Sequence, residues 1–149
     1  MVLVYKGEQR GSVVLGAKTT SDVNILIVED QPISMLGLTL VLSESFPNAY
    51  IQSTNRIEQA YPILDLIRVD VLIVDSGLLG DPAHRTVSRV LEHQAATRII
   101  VCTISVCQNT VEDLLSFGVS GIISKKSSET QYEQAVRKVM QGGRYYGKF

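Results

Sequence analysis

The sequence predicts a doubly wound α/β fold in which five parallel strands alternate with helices. Short apolar segments recur at intervals of about 22 to 28 residues and are separated by amphipathic segments, the pattern of βαβ units. The length of 149 residues suits a single domain with one extended core. Charged residues lie at or just past the ends of three of the apolar segments, as expected at the carboxyl edge of a parallel sheet.

The first strand and helix are predicted from one apolar run and two prolines. Asn24–Glu29 contains four consecutive apolar residues, as in a strand buried on both faces. Pro32 is favourable at the first position of a helix, which is predicted over 32–45 and ends before Pro47. Apolar residues recur near helical spacing along it: Ile33, Leu36, Leu40 and Val41.

Two further strands flank the second helix. Ala49–Ser53 is a weaker strand, whereas Val71–Asp75 has four apolar residues followed by an aspartate. Ile57–Arg68 has apolar residues at steps of three and four and is predicted to be helical, with Pro62 tolerated in its first turns.

The second half of the chain continues the alternation of helix and strand. Gly118 and Gly142 lie at natural helix ends. The predicted elements are the helices Thr86–Gln94, Thr110–Phe117 and Glu129–Met140 and the strands Arg98–Thr103 and Gly121–Ser124.

Residues 1–22 stand apart from this pattern as an N-terminal extension. Val2–Tyr5 and Val13–Leu15 flank a polar stretch and could form a hairpin at a sheet edge. They could equally belong to a leader without fixed structure.

Composition excludes several functional classes. A net charge of -1 and a pI near 6.1 lack the basic excess of nucleic-acid binders. The apolar runs are too short for a membrane span or signal peptide, so a cytoplasmic location without membrane association is expected. Cys102 and Cys107 fit neither a disulfide framework nor a four-ligand zinc site and are interpreted as reduced thiols.

The spacing of the polar residues indicates one shared site. Asp30 and Asp75 are 45 residues apart, enough for two helix-strand units, and Thr103 and Lys125 follow at one unit each. Taken alone, each residue is as compatible with a solvated strand end or a turn as with a functional role. The ordered set of carboxylates, threonine and lysine, however, favours a metal-assisted phosphate site at the sheet edge.

Four segments resemble the receiver domain of two-component response regulators: NILIVEDQP (24–32), VDVLIVDSG (69–77), RIIVCTIS (98–105) and SGIISKK (120–126). The segments QPISMLGLTLVL and AVRKVMQGGRYY are similar to receivers of the NarL/LuxR-type subgroup. The resemblance covers residues 23–146 and implies a flavodoxin-like (βα)5 sandwich with strand order 2-1-3-4-5. It also implies that residues 147–149 begin a linker to a DNA-binding output domain absent from this chain.

The resemblance implies a role for each polar residue. Asp75 would be the phosphoacceptor, taking a phosphoryl group from a sensor histidine kinase as an aspartyl phosphate. Mg²⁺ would be bound by Asp30, Asp75 and the backbone carbonyl of Gly77, with Glu29 acting through a water molecule. The remaining two residues would bind phosphoryl oxygens: Thr103 and Lys125.

The same resemblance implies how the signal would be transmitted. The chain would be an autocatalytic phosphoacceptor, which is not a turnover enzyme, and phosphorylation would promote a homodimer that switches transcription through the output domain. The expected dimer contacts lie on the first and last helices, with Met35, Leu38 and Thr39 facing Val136 and Met140.

Three positions depart from the receiver pattern. The loop 76–82 lacks the usual Met-Pro pair, Ile104 occupies a position that is usually small, and Ile122 occupies one that is often aromatic. These departures affect access to the site and switching, and they leave the acidic residues intact. The alternative is therefore a receiver-like protein-interaction module that works without phosphorylation.

Overall fold

A seven-stranded sheet lies between two layers of helices in the computed structural model, which describes residues 3–6, 23–105 and 107–147. The strands are β1 (Leu3–Lys6), β2 (Asn24–Val28), β3 (Tyr50–Thr54), β4 (Val71–Asp75), β5 (Arg98–Thr103), β6 (Gly121–Ser124) and β7 (Tyr145–Tyr146). The helices are α1 (Pro32–Ser45), α2 (Ala60–Leu66), α3 (Ala83–His93), α4 (Gln108–Ser116) and α5 (Glu129–Met140).

The strand order is β1-β3-β2-β4-β5-β6-β7. Its five central strands are parallel, and among themselves they have the order 2-1-3-4-5, which confirms the predicted fold class. Both borders carry an additional strand. β1 pairs antiparallel with β3 through Leu3–Lys6, whereas Val13–Leu15 lies outside the described residues. Tyr145–Tyr146 extends the other border parallel to β6.

Both faces of the central strands are buried, because helices cover each side. One face packs against α2, α3 and α4 and includes Leu72, Val74 and Ile122. The opposite face packs against α1 and α5 and includes Ile73 and Cys102. This double burial explains why β2, β4 and β5 are continuous apolar runs that do not alternate with polar residues.

The exposed side of α1 differs from the expectation of a single apolar face. Ile33, Leu36 and Leu40 are 83%, 58% and 47% exposed, and the helix instead packs inward through Leu38 and Leu42. Since apolar residues occur all around α1, their periodicity alone does not identify the buried side. We call the exposed set Ile33, Leu36 and Leu40 the α1 stripe.

Helix starts are the other departures from the predicted elements. α3 begins at Ala83 and α4 at Gln108, both earlier than predicted, because their first turns are mostly polar and contain no large apolar residue. A 3₁₀ turn over Ile57–Gln59 precedes α2, where Pro62 lies in the first turn and breaks no helical hydrogen bond. Within the described ranges, no helix is long and apolar enough to cross a membrane.

Candidate functional site

Three carboxylates converge at the carboxyl edge of the sheet, as the sequence predicted. Glu29 and Asp30 follow β2, and Asp75 is the last residue of β4. One carboxylate oxygen from each of the three lies within 4.8 Å of the others. Glu29 is almost fully buried, Asp75 is partly buried and Asp30 is exposed at the mouth of the site.

Lys125 follows β6 and joins two of these carboxylates. Its Nζ lies 2.8 Å from Asp75 Oδ1 and 3.1 Å from Glu29 Oε2. Partial burial lowers the pKa of Lys125, but hydrogen bonds and charge interactions with Asp75 and Glu29 outweigh it and raise the pKa above its usual value. Because the folded-state pKa exceeds the unfolded one, this contribution to stability is present at neutral pH and disappears only in alkali.

The backbone and both carboxylate oxygens of Glu29 make polar contacts that fix its position. Its backbone N–H donates to the carbonyl of Thr54 over 3.0 Å, and its Oε1 accepts from the backbone N–H of Gln31 over 3.1 Å. Its Oε2 contacts Lys125, so both carboxylate oxygens have partners. Burial of this charge is therefore compensated in the structure as it stands.

Gly77 lies in a 3₁₀ turn over Ser76–Leu78, directly after the strand that ends in Asp75. A Cβ atom at Gly77 would lie 3.1 Å from Asp75 Oδ2, so any side chain would crowd the acidic residue. The rest of the loop is anchored by the buried Leu79, whose carbonyl accepts a hydrogen bond from the Thr86 hydroxyl. The loop is thus ordered without the Met-Pro pair.

Thr103 ends β5 beside the acidic residues, but its hydroxyl points into its own loop. The hydroxyl donates to the carbonyl of Ser105 over 3.0 Å. The backbone N–H of Lys125 donates to the backbone carbonyl of Thr103 over 2.8 Å. Ile104 is 66% exposed. Ile122 is fully buried in the layer with α2, α3 and α4. The structure therefore brings Lys125 onto the carboxylates and leaves the Thr103 hydroxyl turned away.

Sequence analysis missed a cavity of about 200 Å³ that opens beside this site toward α1 and α5. Its lining includes Glu29, Asp75 and Lys125 on one side and Cys102 and Tyr132 on another. Of the last two residues, only Cys102 had a signal in the sequence, because it lies near the end of the predicted strand 98–103 and pairs with Asp75 on the neighbouring strand. Tyr132 lies in α5, and no local pattern distinguishes it from other helical tyrosines.

Cys102 and Tyr132 both line this cavity, and each affects the pKa of the other. Burial raises the pKa of Cys102 to about 12, although Tyr132 and Lys125 oppose the shift. Burial likewise raises the pKa of Tyr132, and Cys102 and Glu29 raise it further. Both groups are consequently protonated at neutral pH. Cys102 and Cys107 are free thiols, as predicted.

Comparison with known proteins is consistent with this geometry. A family model described as the response regulator receiver domain matches residues 25–137. The transcriptional activator protein ExaE of Pseudomonas putida is 26% identical over 121 residues, which are 81% of this chain and 56% of that protein. The chain thus spans about half the length of the curated relatives it matches.

Solved structures share the fold. A two-component response regulator of the LuxR family from Aurantimonas sp. SI85-9A1 superimposes with a TM-score of 0.74 at 23% identity, covering 84% of this chain and 89% of that chain. The isolated REC domain of RcsB from Salmonella enterica serovar Typhimurium gives 0.74 at 20% identity, over 86% and 95% of the two chains. Another similar structure contains two RcsB dimers bound to two parallel DNAs; it has a TM-score of 0.74 at 20% identity, over 86% of this chain and 65% of that one.

Proposed function

Since the chain belongs to the response regulator receiver family, we propose that it accepts a phosphoryl group from a sensor histidine kinase in the cytoplasm. Asp75 is the proposed acceptor. The observation that carries this proposal is the contact of Lys125 with Asp75 in a group of three carboxylates. A structural ion pair alone needs only one carboxylate, whereas phosphoryl transfer needs a nucleophile, a cation and oxygen ligands for a metal.

The transfer forms one bond and breaks another. A carboxylate oxygen of Asp75 bonds to phosphorus as the bond between phosphorus and the kinase histidine nitrogen breaks. The electron pair of that bond returns to the imidazole, which takes a proton from solvent. Water later attacks the phosphorus of the acyl phosphate and releases phosphate. The domain supplies position and charge in a single turnover, so we class it as a phosphoacceptor and not as an enzyme.

The oxygen ligands suit Mg²⁺, which would supply positive charge to neutralise the entering phosphoryl group. Two oxygens bound to one octahedral Mg²⁺ are about 2.9 to 4.2 Å apart. One carboxylate oxygen from each of the three acidic residues lies within 4.8 Å of the others, which is close to this range. We propose Asp30, Asp75 and the Gly77 carbonyl as direct ligands. Glu29 would act through a water molecule, because Lys125 and Gln31 already occupy its oxygens.

Two residues would stabilise the phosphorylated state. Lys125 already contacts Asp75 and would pair with a phosphoryl oxygen after transfer. Thr103 would have to rotate its hydroxyl away from Ser105 before it could donate to another oxygen. Phosphorylation thus requires a local rearrangement of the loop after β5.

The test of this function is titration with magnesium and beryllofluoride, which mimics a phosphoryl group on an aspartate, followed by amide NMR. We expect saturable shifts at the ends of β2, β4 and β6 in the wild type and none in Asp75→Asn. Binding that survives Asp75→Asn unchanged would place the acceptor elsewhere.

We further propose that phosphorylation promotes a homodimer that positions output domains on DNA. The expected contacts need correction, because Val136 is fully buried and Leu38 packs inward. On these two helices, the exposed large apolar side chains are the α1 stripe and Met140, which is 40% exposed. The RcsB dimers bound to DNA support association in this family. An isologous contact would match the two-fold symmetry of paired half-sites.

Leu36→Glu is expected to weaken the beryllofluoride-promoted dimer by at least about tenfold. Burial of a leucine side chain contributes about 1.5 to 3 kcal/mol, and each 1.4 kcal/mol changes a dissociation constant by about tenfold. Sedimentation equilibrium measures the change. Leu66→Glu is the matched control, since Leu66 is 82% exposed at the end of α2 and should have little effect. Equal weakening by both substitutions would contradict the proposed surface.

Ile104→Ala is expected to accelerate both phosphorylation by acetyl phosphate and hydrolysis of the product. We predict a factor of about two to five for each, equivalent to roughly 0.4 to 1 kcal/mol of barrier, because a smaller side chain opens the path to Asp75. Leu66→Ala controls for loss of an exposed aliphatic group. Unchanged rates in Ile104→Ala would indicate that the loop 76–82, and not Ile104, controls access to Asp75.

A phosphorylation-independent interaction module is the second candidate function. Two observations favour it. The α1 stripe is exposed in the unphosphorylated protein, and the Thr103 hydroxyl is hydrogen-bonded to the Ser105 carbonyl and does not face the phosphate site. An association that uses this stripe would then need no acyl phosphate. Dimer dissociation constants that are equal with and without beryllofluoride would support this second function over the first.

A further inference from the structure

We propose that Tyr132 is a positioning residue that couples occupancy of the acidic site to the orientation of α5. This inference rests on the proposed function and adds a residue outside the segments that resemble receiver domains. Tyr132 is the fourth residue of α5 and borders the same cavity as Glu29, Asp75 and Lys125. It is therefore placed between the phosphoacceptor and the helix layer that carries the α1 stripe.

The present position of the phenol is weakly held. Its hydroxyl lies 3.5 Å from the Ser124 carbonyl, the outer limit of a hydrogen bond, and the polar group that shares the cavity wall with it is the weakly polar thiol of Cys102. The adjoining cavity of about 200 Å³ gives the ring room to move. Tyr132 thus has a second position available on the cavity side of its ring.

The charges around the site identify that second position. Phosphorylation of Asp75 replaces the single negative charge of its carboxylate with a phosphoryl group of roughly -1.5 to -2, which attracts Lys125 away from Glu29. Glu29 is only 4% exposed, so loss of its cation leaves a buried carboxylate oxygen that needs a donor. The Tyr132 hydroxyl is protonated and faces the same cavity. We infer that it turns from Cys102 toward Glu29.

Movement of this side chain acts on the helices. Tyr132 packs against the apolar layer shared by α1 and α5, which also contains Leu42 and Val136. Because such layers are close-packed, a shift of the ring changes how α5 rests on α1. The exposed stripe on α1 and Met140 on α5 would then approach a second copy in the geometry that favours the dimer.

Tyr132→Phe tests the inference, since it keeps the ring and removes the hydroxyl. We expect magnesium and beryllofluoride to strengthen the wild-type dimer and to have at least fivefold less effect in Tyr132→Phe. Tyr145→Phe is the matched control, because Tyr145 packs on the same layer away from the site, and it should respond as the wild type. In ¹³C-tyrosine NMR, the ring resonance of Tyr132 should shift with beryllofluoride while that of Tyr145 stays in place.

Cys102→Ala provides a test in the opposite direction. It removes the resting partner of the phenol, so the dimer should become about three- to tenfold tighter without beryllofluoride, whereas simple loss of packing would weaken it. An undiminished response of Tyr132→Phe, an unmoved Tyr132 resonance, or a weaker Cys102→Ala dimer overturns the role of Tyr132. A wild type that ignores beryllofluoride overturns the proposed function itself.

Discussion

Asp75→Asn is expected to abolish acyl phosphate formation, with labelling by acetyl phosphate reduced at least about 100-fold. An amide lacks the anionic oxygen that attacks phosphorus, and no neighbouring group can replace it at the same position. Asp75 also has its Oδ1 2.8 Å from Lys125, which aligns the carboxylate. Intact-mass spectrometry before and after hydroxylamine treatment measures the product, because acyl phosphates are labile and phosphoserine is not.

Asp81→Asn is the control for this substitution. Asp81 is exposed in the same loop, so the same change of chemistry leaves the proposed acceptor in place, and labelling should remain near the wild-type level. Stable phosphate on the adjacent Ser76, or full labelling of Asp75→Asn, would show that the acceptor is wrongly assigned.

Asp30→Asn is expected to weaken Mg²⁺ binding by at least about tenfold, because Mg²⁺ depends on a small number of charged oxygen ligands. Asp30 is the most exposed of the three acidic residues, and Glu29 is already engaged by Lys125 and Gln31. Neither of the other carboxylates can therefore compensate fully. Isothermal titration or magnesium-dependent NMR shifts measure the affinity.

Asp113→Asn serves as the matched control, since Asp113 is an exposed aspartate on α4 outside the acidic group. Its affinity for Mg²⁺ should equal that of the wild type. If Asp30→Asn also binds Mg²⁺ as tightly as the wild type, Asp30 is not a ligand and the proposed set must be revised.

The sheet and the carboxylate group were predictable because their signals are local. A parallel strand buried on both faces requires a run of apolar residues, and such runs identify β2, β4 and β5. Charges that end these runs must lie at one edge of the sheet. The meeting of Glu29, Asp75 and Lys125 follows from topology and needs no knowledge of side-chain packing.

Features that depend on packing between distant elements were not predictable in this way. Apolar residues surround α1, so which of them face the sheet is decided by contacts with α5 and not by spacing. The inward turn of the Thr103 hydroxyl depends on the loop that carries Ser105. The cavity beside Tyr132 arises from side chains of several elements. A linear pattern contains none of these relations.

The border strand β1 has a consequence for how copies of this protein can associate. An open sheet border exposes backbone N–H and C=O groups that can template growth by further chains. β1 occupies these groups along β3, from Tyr50 to Ser53, and it lies ahead of the region matched by the family model. At the opposite border, Tyr145–Tyr146 offers only two residues for pairing. β1 and β7 therefore form the two borders themselves, and their lengths of four and two residues leave few backbone groups for pairing with another copy.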